Sequence, residues 1–274
     1  MITDQMFALR AIRPVVVNTT QSVGYQNRNY ATLKEIQLRL KSINSIAKIT
    51  KSMKMIASTK MSRAQKAMEI ARVFGTTQTG LFTYADTKPT EGGNTLVITV
   101  SSDRGLCGGI HSDKAKGQLS RTVRENIKLS FNQIGRSIPT YNEASSIADT
   151  ILKEKIDFDQ AAIIYNYFKS VISYEAQIIP AFSVSTFAKS GNFDSYEVED
   201  DVLEHLQEFA FANSIYWGLV EGHAAEMASK RSAMENATKN AGEMIEKLTM
   251  TYNRGRQAAI TNELVDIITG ASAL

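Results

Sequence analysis

The residues that could do chemistry cluster in one glycine-rich turn, which contains the only cysteine of the chain. The run Asp-Arg-Gly-Leu-Cys-Gly-Gly at 103–109 follows a predicted strand, where a dinucleotide-binding turn would lie. It lacks the G-x-G-x-x-G spacing, and no acidic residue about 20 positions further on follows a second strand. Cys107 and His111 could pair as nucleophile and base, but no third group completes such a set. We therefore interpret the segment as a tight turn.

Metal binding and phosphate binding are both disfavoured by the sequence. His111, His205 and His223 share no ligand spacing, and Glu221 two residues before His223 has no second histidine to make a zinc-binding helix. No G-x-x-x-x-G-K-[ST] motif is present. A single cysteine cannot form an internal disulfide, and this usage fits a reducing compartment. We predict no catalytic residue, no metal and no cofactor.

The first 30 residues differ in composition from the rest of the chain. They contain three arginines against one acidic residue, Asp4, and are rich in hydroxyl and amide side chains. This composition is typical of a mitochondrial transit peptide. The run Arg-Asn-Tyr at 28–30, directly before Ala31, is similar to a matrix-protease cleavage site. We predict a transit peptide over residues 1–30, and a plain disordered N-terminus is the alternative.

Bulk properties limit the possible partners. The net charge of +3 at pH 7 is too small to argue for nucleic acid. No apolar run approaches the roughly 20 residues that a membrane-spanning helix needs. With 274 residues, 43% of them hydrophobic, the chain can form a core and divide into one or two domains. We expect a chain that does not itself span a membrane but can dock onto a complex that does.

Residues 31–88 are predicted to form an N-terminal shaft helix. Apolar residues recur at steps of three and four, in one stripe or two adjacent ones: Leu33, Ile36, Leu40, Ile43, Ile46, Ile49, Met53 and Ile56. A helix over 32–85 would be roughly 80 Å long. Thr32 and Glu35 can close a capping box at its start.

The opposite face of this helix is basic. Its positive side chains are Lys34, Arg39, Lys41, Lys48, Lys51, Lys54, Lys60, Arg63, Lys66 and Arg72. Because acidic residues are scarce, the positive charges on this face repel one another. We predict that it lies opposite acidic groups of a partner, and a merely solvated face is the alternative.

Residues 201–274 are predicted to form a second shaft helix, roughly 100 Å long. Small or apolar residues again recur at threes and fours, which indicates a coiled coil. The predicted seam contains Leu206, Phe209, Trp217, Val220, Ala224, Met227, Met234, Ala237, Ala241, Met244, Leu248 and Tyr252. The last part, 255–274, extends beyond the shorter helix and is apolar on most sides. A lone helix of this kind needs a hydrophobic sleeve in a partner.

The middle of the chain, residues 89–200, is predicted to be a small α/β domain. Strand-like runs lie at 96–100, 127–134, 161–165 and 172–179, and a helix is predicted over 143–155. This alternation favours a small, open, partly parallel sheet. The predicted fold class is therefore α plus α/β: a long antiparallel two-helix coiled coil from the terminal segments and a Rossmann-like central domain, which we call the foot.

Three stretches of the sequence resemble the gamma-subunit family of F-type ATP synthases. The first lies within 31–58 and ends in Ile-Thr-Lys-Ser-Met-Lys-Met-Ile-Ala-Ser, and the second is 101–111. The third, 231–274, is the most specific; it contains Tyr-Asn-Arg-Gly-Arg-Gln at 252–257 followed by Ala-Ala-Ile-Thr-Asn-Glu. The resemblance covers nearly all of the chain after residue 30, and its ending is similar to the mitochondrial branch.

One departure from the family follows His111 and Ser112. The family has a helix and a second strand at this point. This chain continues instead with Asp113, in a run that is similar to the family segment beyond that strand. The resemblance therefore implies a foot that lacks one helix–strand unit.

The resemblance implies a central-stalk rotor, not an enzyme. Such a shaft couples proton-driven rotation of a membrane ring to sequential changes in catalytic beta subunits for ATP synthesis, or in reverse for hydrolysis. The implied partners are the alpha and beta subunits, the delta and epsilon central-stalk subunits and the membrane c-ring. The implied location is the matrix side of the mitochondrial inner membrane, with no nucleic acid and no cofactor.

The resemblance also implies three functional surfaces. Contacts with acidic catch loops of the beta subunits are expected at Lys48, Lys51, Met53 and Lys54, and, in a second catch near Met53, at Arg256, Gln257, Thr261 and Glu263. A bearing tip is expected at Leu264, Val265, Ile267, Ile268 and Leu274. A foot turn is expected at Arg104, Gly105, Leu106, Cys107 and His111.

Two other functions are compatible with parts of the sequence. A coiled-coil adaptor could bind nucleic acid through the basic helix, in which case binding would depend on salt. The net acidic character of the C-terminal helix argues against it. A small α/β nucleotide enzyme with helical arms is the other alternative.

Overall fold

A computed structural model describes residues 32–89, 92–102, 104–110, 124–135, 137–154, 156, 158–196 and 200–272. The predicted transit peptide, His111, Leu274 and the departure after Ser112 lie outside these residues. In chain order the elements are α1 (Leu33–Tyr84), β1 (Thr95–Thr99), α2 (Tyr141–Lys153), β2 (Gln160–Phe168), β3 (Tyr174–Phe182), α3 (Val184–Ala188) and α4 (Asp200–Ser272). Single 3-10 turns lie at Arg124–Asn126 and Phe193–Ser195.

The two long helices form a rod, as predicted. Helix α1 has 52 residues and α4 has 73, so they are about 78 and 110 Å long at a rise of about 1.5 Å per residue. The predicted capping box closes α1: the Thr32 hydroxyl accepts from the Glu35 N–H at 3.3 Å, and Glu35 accepts from the Thr32 N–H at 3.0 Å. Within the described residues, neither helix nor any other has an apolar stretch long enough to cross a bilayer.

Contacts along the rod establish that α1 and α4 are antiparallel. The Thr238 hydroxyl donates to the Thr50 hydroxyl at 2.9 Å, and the Lys54 ammonium lies 2.7 Å from a Glu235 carboxylate oxygen. At the far end, a Cβ placed on Gly255 would lie 3.0 Å from Leu33. Residue numbers therefore rise along α1 in the direction in which they fall along α4.

The seam between the helices is made mainly of small and flexible side chains. The buried positions of α1 from Ala57 onward follow steps of four and three: Ala57, Met61, Ala64, Met68, Ala71 and Gly75. The predicted apolar stripe divides into two, because Ile46, Ile49 and Ile56 are exposed beside the seam. On α4, Met244 is likewise exposed, and Ile245 takes the inward position.

The foot is built on a three-stranded mixed sheet in the order β1-β2-β3. β1 pairs with β2 in parallel, and β2 pairs with β3 antiparallel, so the predicted partly parallel sheet is confirmed. Helix α2 covers one face together with the first part of α4. Their shared core contains Ile147, Ile151, Ile163, Tyr165, Phe211 and Ile215. The α/β foot is thus packed onto the root of the rod.

The predicted strand at 127–134 is wrong. The segment follows the 3-10 turn Arg124–Asn126 and has no ladder partner among the described residues. In a strand, Ile127, Leu129 and Phe131 would share one face. Instead, Leu129 and Ile134 pack against the core, and Ile127 and Phe131 are exposed. Gln133 then turns the chain with φ at 63°. Alternation favours extended backbone, but a strand also needs a neighbour to pair with.

Candidate functional site

The exposed basic face of α1 is the first candidate contact surface, defined here as Lys48, Lys51, Met53 and Lys54. Lys48 and Lys51 are exposed, and Met53 and Lys54 are half-buried. The helix contains only two acidic residues in its 52, Glu35 and Glu69, so this face is positive over most of its length. The second apolar stripe runs beside the lysines. The surface therefore offers both charge and hydrophobic contact to a partner.

Two basic residues of α1 find acidic partners inside the chain itself. Lys54 pairs with Glu235 of α4, and Arg72 turns inward to the buried Glu221. Arg72 therefore does not belong to the outward basic face on which the sequence pattern placed it. Because residue spacing gives the face of a helix but not its partner, the sequence could not separate these two residues from the others.

The second candidate contact surface comprises Arg256, Gln257, Thr261 and Glu263. All four are exposed on α4, and the Thr261 hydroxyl donates to the Gln257 carbonyl at 2.9 Å. The expectation that this surface lies near Met53 is wrong. Gly255 lies level with Leu33, whereas Thr238 lies level with Thr50.

This register separates the two contact surfaces along the rod. The length of helix from Thr238 to Arg256 is about 27 Å at a rise of about 1.5 Å per residue. The sequence could not give this height difference, because the register between helices so far apart in sequence is fixed by packing. A partner would therefore have to contact the rod at two separate levels.

The tip of α4 continues beyond the start of α1, and every described residue from 261 onward is exposed. Leu264, Val265, Ile267 and Ile268 are 55%, 50%, 71% and 58% exposed. Full burial of one such side chain is favourable by about 1.5–3 kcal/mol. The described part of the tip therefore exposes apolar side chains whose burial against a partner would be favourable. Leu274, predicted to belong to it, lies outside the described residues.

The foot turn packs against α4. Cys107 is buried, its thiol donates to the Gly105 carbonyl at 3.3 Å, and its own carbonyl accepts from the Ser229 hydroxyl at 2.5 Å. Leu106 is exposed with φ at 65°, and an Arg104 nitrogen lies 3.5 Å from the Gly135 carbonyl. These contacts connect the turn to both the rod and the foot. His111 lies outside the described residues.

The environment of Cys107 does not favour nucleophilic chemistry. Burial raises the pKa of the Cys107 thiol to about 11, and the nearby Glu226 carboxylate adds to the rise. The thiol is therefore protonated at neutral pH, while the thiolate is the nucleophilic form. Within the described ranges, no group of three or more His, Cys, Asp or Glu side chains is placed to hold a metal.

His223 lies beside the foot turn, and its side chain is 10% exposed. Its Nδ1 is 3.9 Å from a Glu226 carboxylate oxygen. Burial lowers the pKa of His223, the Glu226 carboxylate opposes this, and the positive charges of Arg104 and Lys60 add to it. Burial therefore disfavours the protonated form of His223 in the folded chain.

Comparisons with known proteins identify the family. The family model described as ATP synthase matches residues 32–125 and 113–274. A relative from Yarrowia lipolytica, "ATP synthase subunit gamma, mitochondrial", is 44% identical over 297 residues, with 98% of this chain and 100% of the relative covered. Its counterpart from Rattus norvegicus, "ATP synthase F(1) complex subunit gamma, mitochondrial", is also 44% identical, over 89% of this chain and 100% of its own length.

The fold is similar to those of solved rotor proteins. A chain of the Tetrahymena thermophila mitochondrial ATP synthase central stalk and c-ring matches with a TM-score of 0.58 and 28% identity, over 69% of this chain and 99% of its own. A chain of the Euglena gracilis mitochondrial ATP synthase has a TM-score of 0.73 over 88% of this chain and 94% of its own, at 16% identity. The relatives give no support to a nucleic-acid adaptor. The chain belongs to the gamma-subunit family of mitochondrial ATP synthases.

Proposed function

We propose that this chain is the central-stalk rotor of a mitochondrial F-type ATP synthase and couples rotation of the membrane ring to ATP synthesis. The observation that carries the proposal is the shape of the rod. It has a compact foot at one end, a lone apolar helix at the other, and two exposed contact surfaces at different heights between them. A shaft that connects a ring to a catalytic head needs each of these parts.

The rod can couple its rotation to the states of the surrounding subunits by making different contacts with each of them. From the first contact surface toward the start of α1, the α1 side exposes basic residues, whereas the α4 side has mixed charge, with Glu235, Glu243 and Glu246 beside Lys239 and Lys247. Identical subunits around the rod would each meet a different side at a given angle. Because a partner shifts an equilibrium only through differential affinity, this asymmetry can hold three beta subunits in three states.

The remaining surfaces have roles within the same proposal. The first and second contact surfaces are the two catches for beta subunits, at separate levels. Leu264, Val265, Ile267, Ile268 and Leu274 form the bearing, where hydrophobic contact is non-directional and permits rotation. The foot, with its turn at Arg104, Gly105, Leu106, Cys107 and His111, contacts the delta and epsilon subunits and the c-ring.

The chain has no catalytic role of its own in this proposal; catalysis belongs to the partner subunits. Residues 1–30 are the transit peptide, 31–88 and 201–274 the two shaft segments, and 89–200 the foot. The protein is peripheral to the mitochondrial inner membrane on its matrix side. The names of the relatives, all mitochondrial, support this location.

Complementation in a fungal strain that lacks its own gamma subunit tests the function. The full chain with a C-terminal tag after a flexible linker should restore respiration-driven ATP synthesis. The tag should also recover alpha, beta and c-ring subunits from mitochondrial extracts. Failure of both would overturn the proposal, and a strain with an empty vector provides the baseline.

A further inference from the structure

Glu221 of α4 is a fully buried carboxylate at the junction of the rod and the foot. The Arg72 guanidinium of α1 donates to it twice, from Nε to Oε1 at 2.5 Å and from Nη2 to Oε2 at 3.1 Å. The Trp217 indole N–H donates to Oε1 at 3.3 Å. A two-pronged pair of this kind fixes the relative orientation of its two groups as well as their separation.

The same pair also holds the end of a strand. Phe168, the last residue of β2, donates its N–H to Glu221 Oε2 at 3.1 Å, and its carbonyl accepts from Arg72 Nη2 at 2.9 Å. The Arg72 guanidinium additionally lies 4.4 Å above the centre of the Tyr167 ring. Both backbone groups of one strand residue are therefore held by two helices at a single point.

The apolar contacts around this point cannot supply the same directionality. The surrounding cluster contains Met61, Met68, Ala71, Phe168, Val220 and Ala224. Hydrophobic contact depends on buried area and is non-directional, and methionine adapts its shape to its neighbours. A twist between rod and foot would lengthen or bend the hydrogen bonds of Arg72 and Glu221, which depend on orientation as well as on distance.

We propose that Arg72 and Glu221 are positioning residues that fix the angle of the rod relative to the foot. They lie at a contact through which rotation imposed on the foot can enter both shaft helices. The inference rests on the proposed rotor function and adds to it the residues that make the junction torsionally stiff. Neither residue touches nucleotide or takes part in the chemistry.

The angular fluctuation of a stalled rotor measures this stiffness. The complex is purified from the complemented strain, and a probe is attached to the foot through a Lys189→Cys substitution. Within this chain labelling is specific because Cys107, its only native cysteine, is buried, and the complex without the Lys189→Cys substitution gives the background from the other subunits. With the catalytic head immobilised and stalled by a non-hydrolysable ATP analogue, Glu221→Gln should broaden the angular distribution of the probe. A distribution as narrow as that of the unsubstituted rotor would overturn the inference.

Glu235→Gln is the matched control, because it makes the same change in the exposed ion pair with Lys54. It should leave the angular distribution unchanged, since that pair joins the two helices and does not reach the foot. Equal broadening by the two substitutions would contradict a specific role for the junction.

A double substitution, Arg72→Met with Glu221→Met, separates positioning from stabilisation. Apolar side chains of similar volume often replace a buried ion pair without loss of stability. Here they also leave the Phe168 N–H and the Trp217 N–H without their acceptor, so this variant should still assemble but with lower thermal stability. Its angular distribution should still be broad. A narrow distribution in an assembled complex of lower thermal stability would show that the pair only stabilises the fold, and would overturn the inference.

The unsubstituted chain distinguishes a failure of the proposed rotor function from a failure of the positioning role alone. If it fails to restore ATP synthesis, the rotor function fails and this inference fails with it. If it restores synthesis and all variants fluctuate alike, only the positioning role is overturned.

Discussion

At the scale of single residues, Gly75 of α1 packs closely against the ring of Trp217 of α4. A Cβ on Gly75 would lie 2.4 Å from two ring carbons of Trp217. The indole cannot move away freely, because its N–H donates to buried Glu221. We expect Gly75→Ala to destabilise the chain by about 1–3 kcal/mol through overpacking, measured by chemical unfolding followed by circular dichroism.

Gly242→Ala provides the control for this prediction. Gly242 also lies within a long helix, but a Cβ there would meet nothing within 4 Å. Alanine should therefore stabilise the chain by up to about 1 kcal/mol, the usual gain over glycine in a helix interior. Similar effects at the two positions would contradict the proposed clash.

His223 should make the protein sensitive to mild acid. Burial lowers the pKa of His223 below its ordinary value of 6.5, so the unfolded chain takes up a proton at higher pH than the folded chain. The free energy of unfolding is therefore highest above about pH 6.5 and decreases as the pH falls toward the pKa of His223 in the folded chain. His223→Gln should flatten this part of the stability profile in unfolding experiments across that range.

The same substitution at His205 is the comparison for this pH experiment. His205 is exposed near the start of α4, so His205→Gln should leave the acid sensitivity in place. An unchanged profile for His223→Gln would show that another group causes the loss of stability.

At the scale of elements, the second contact surface makes a prediction about coupling. Arg256 is exposed, and it lies far along the rod from the first contact surface. Because a catch acts during rotation, Arg256→Glu should reduce the number of protons pumped per ATP hydrolysed more than it reduces assembly. Proton uptake and ATP hydrolysis measured in the same vesicles give this ratio, and an unchanged ratio would count against the role.

Arg254 supplies a matched position for the charge reversal. It is also exposed, but it lies two residues earlier and so points to nearly the opposite side of the helix. Arg254→Glu should disturb coupling less. Equal losses from both variants would indicate a general charge effect and not a defined catch.

The tip helix allows a test of the hydrophobic bearing. Ile267 is 71% exposed in the isolated chain, and its burial in a sleeve would contribute about 1.5–3 kcal/mol. Ile267→Gln should therefore lower the temperature at which the assembled complex dissociates, measured by thermal melting. Thr269→Gln, two residues away on an exposed position, should have a smaller effect. A larger effect at Thr269 would contradict this placement of the bearing.

The elements themselves could be predicted where local sequence determines them. The capping box at Thr32 and the three-and-four spacing fixed α1 to within a residue or two of Leu33–Tyr84. The strand predicted at 127–134 failed because pairing is not local. The heights of the contact surfaces could not be predicted either, since the register of α1 against α4 depends on packing such as Leu33 beside Gly255.

At the scale of the whole molecule, the rod-and-foot shape was predictable, but the ion pair that connects the rod to the foot was not. Two long helices at the ends of one chain, with strands between them, leave few arrangements other than a shared base. Nothing in the spacing, however, indicates that Arg72 leaves the basic face to meet Glu221. A charged residue can be assigned to a buried ion pair only when the residue opposite it is known, and for Arg72 that residue is known only from the fold.

The central claim, that the whole chain turns as a shaft, is tested most directly by observing rotation. A probe on the foot at Lys189→Cys, in the immobilised complex, is followed by single-molecule microscopy after ATP is added. The account predicts continuous rotation in one direction, which stops when ATP is removed. A correctly assembled, ATP-hydrolysing complex whose probe only fluctuates about a fixed angle would contradict it.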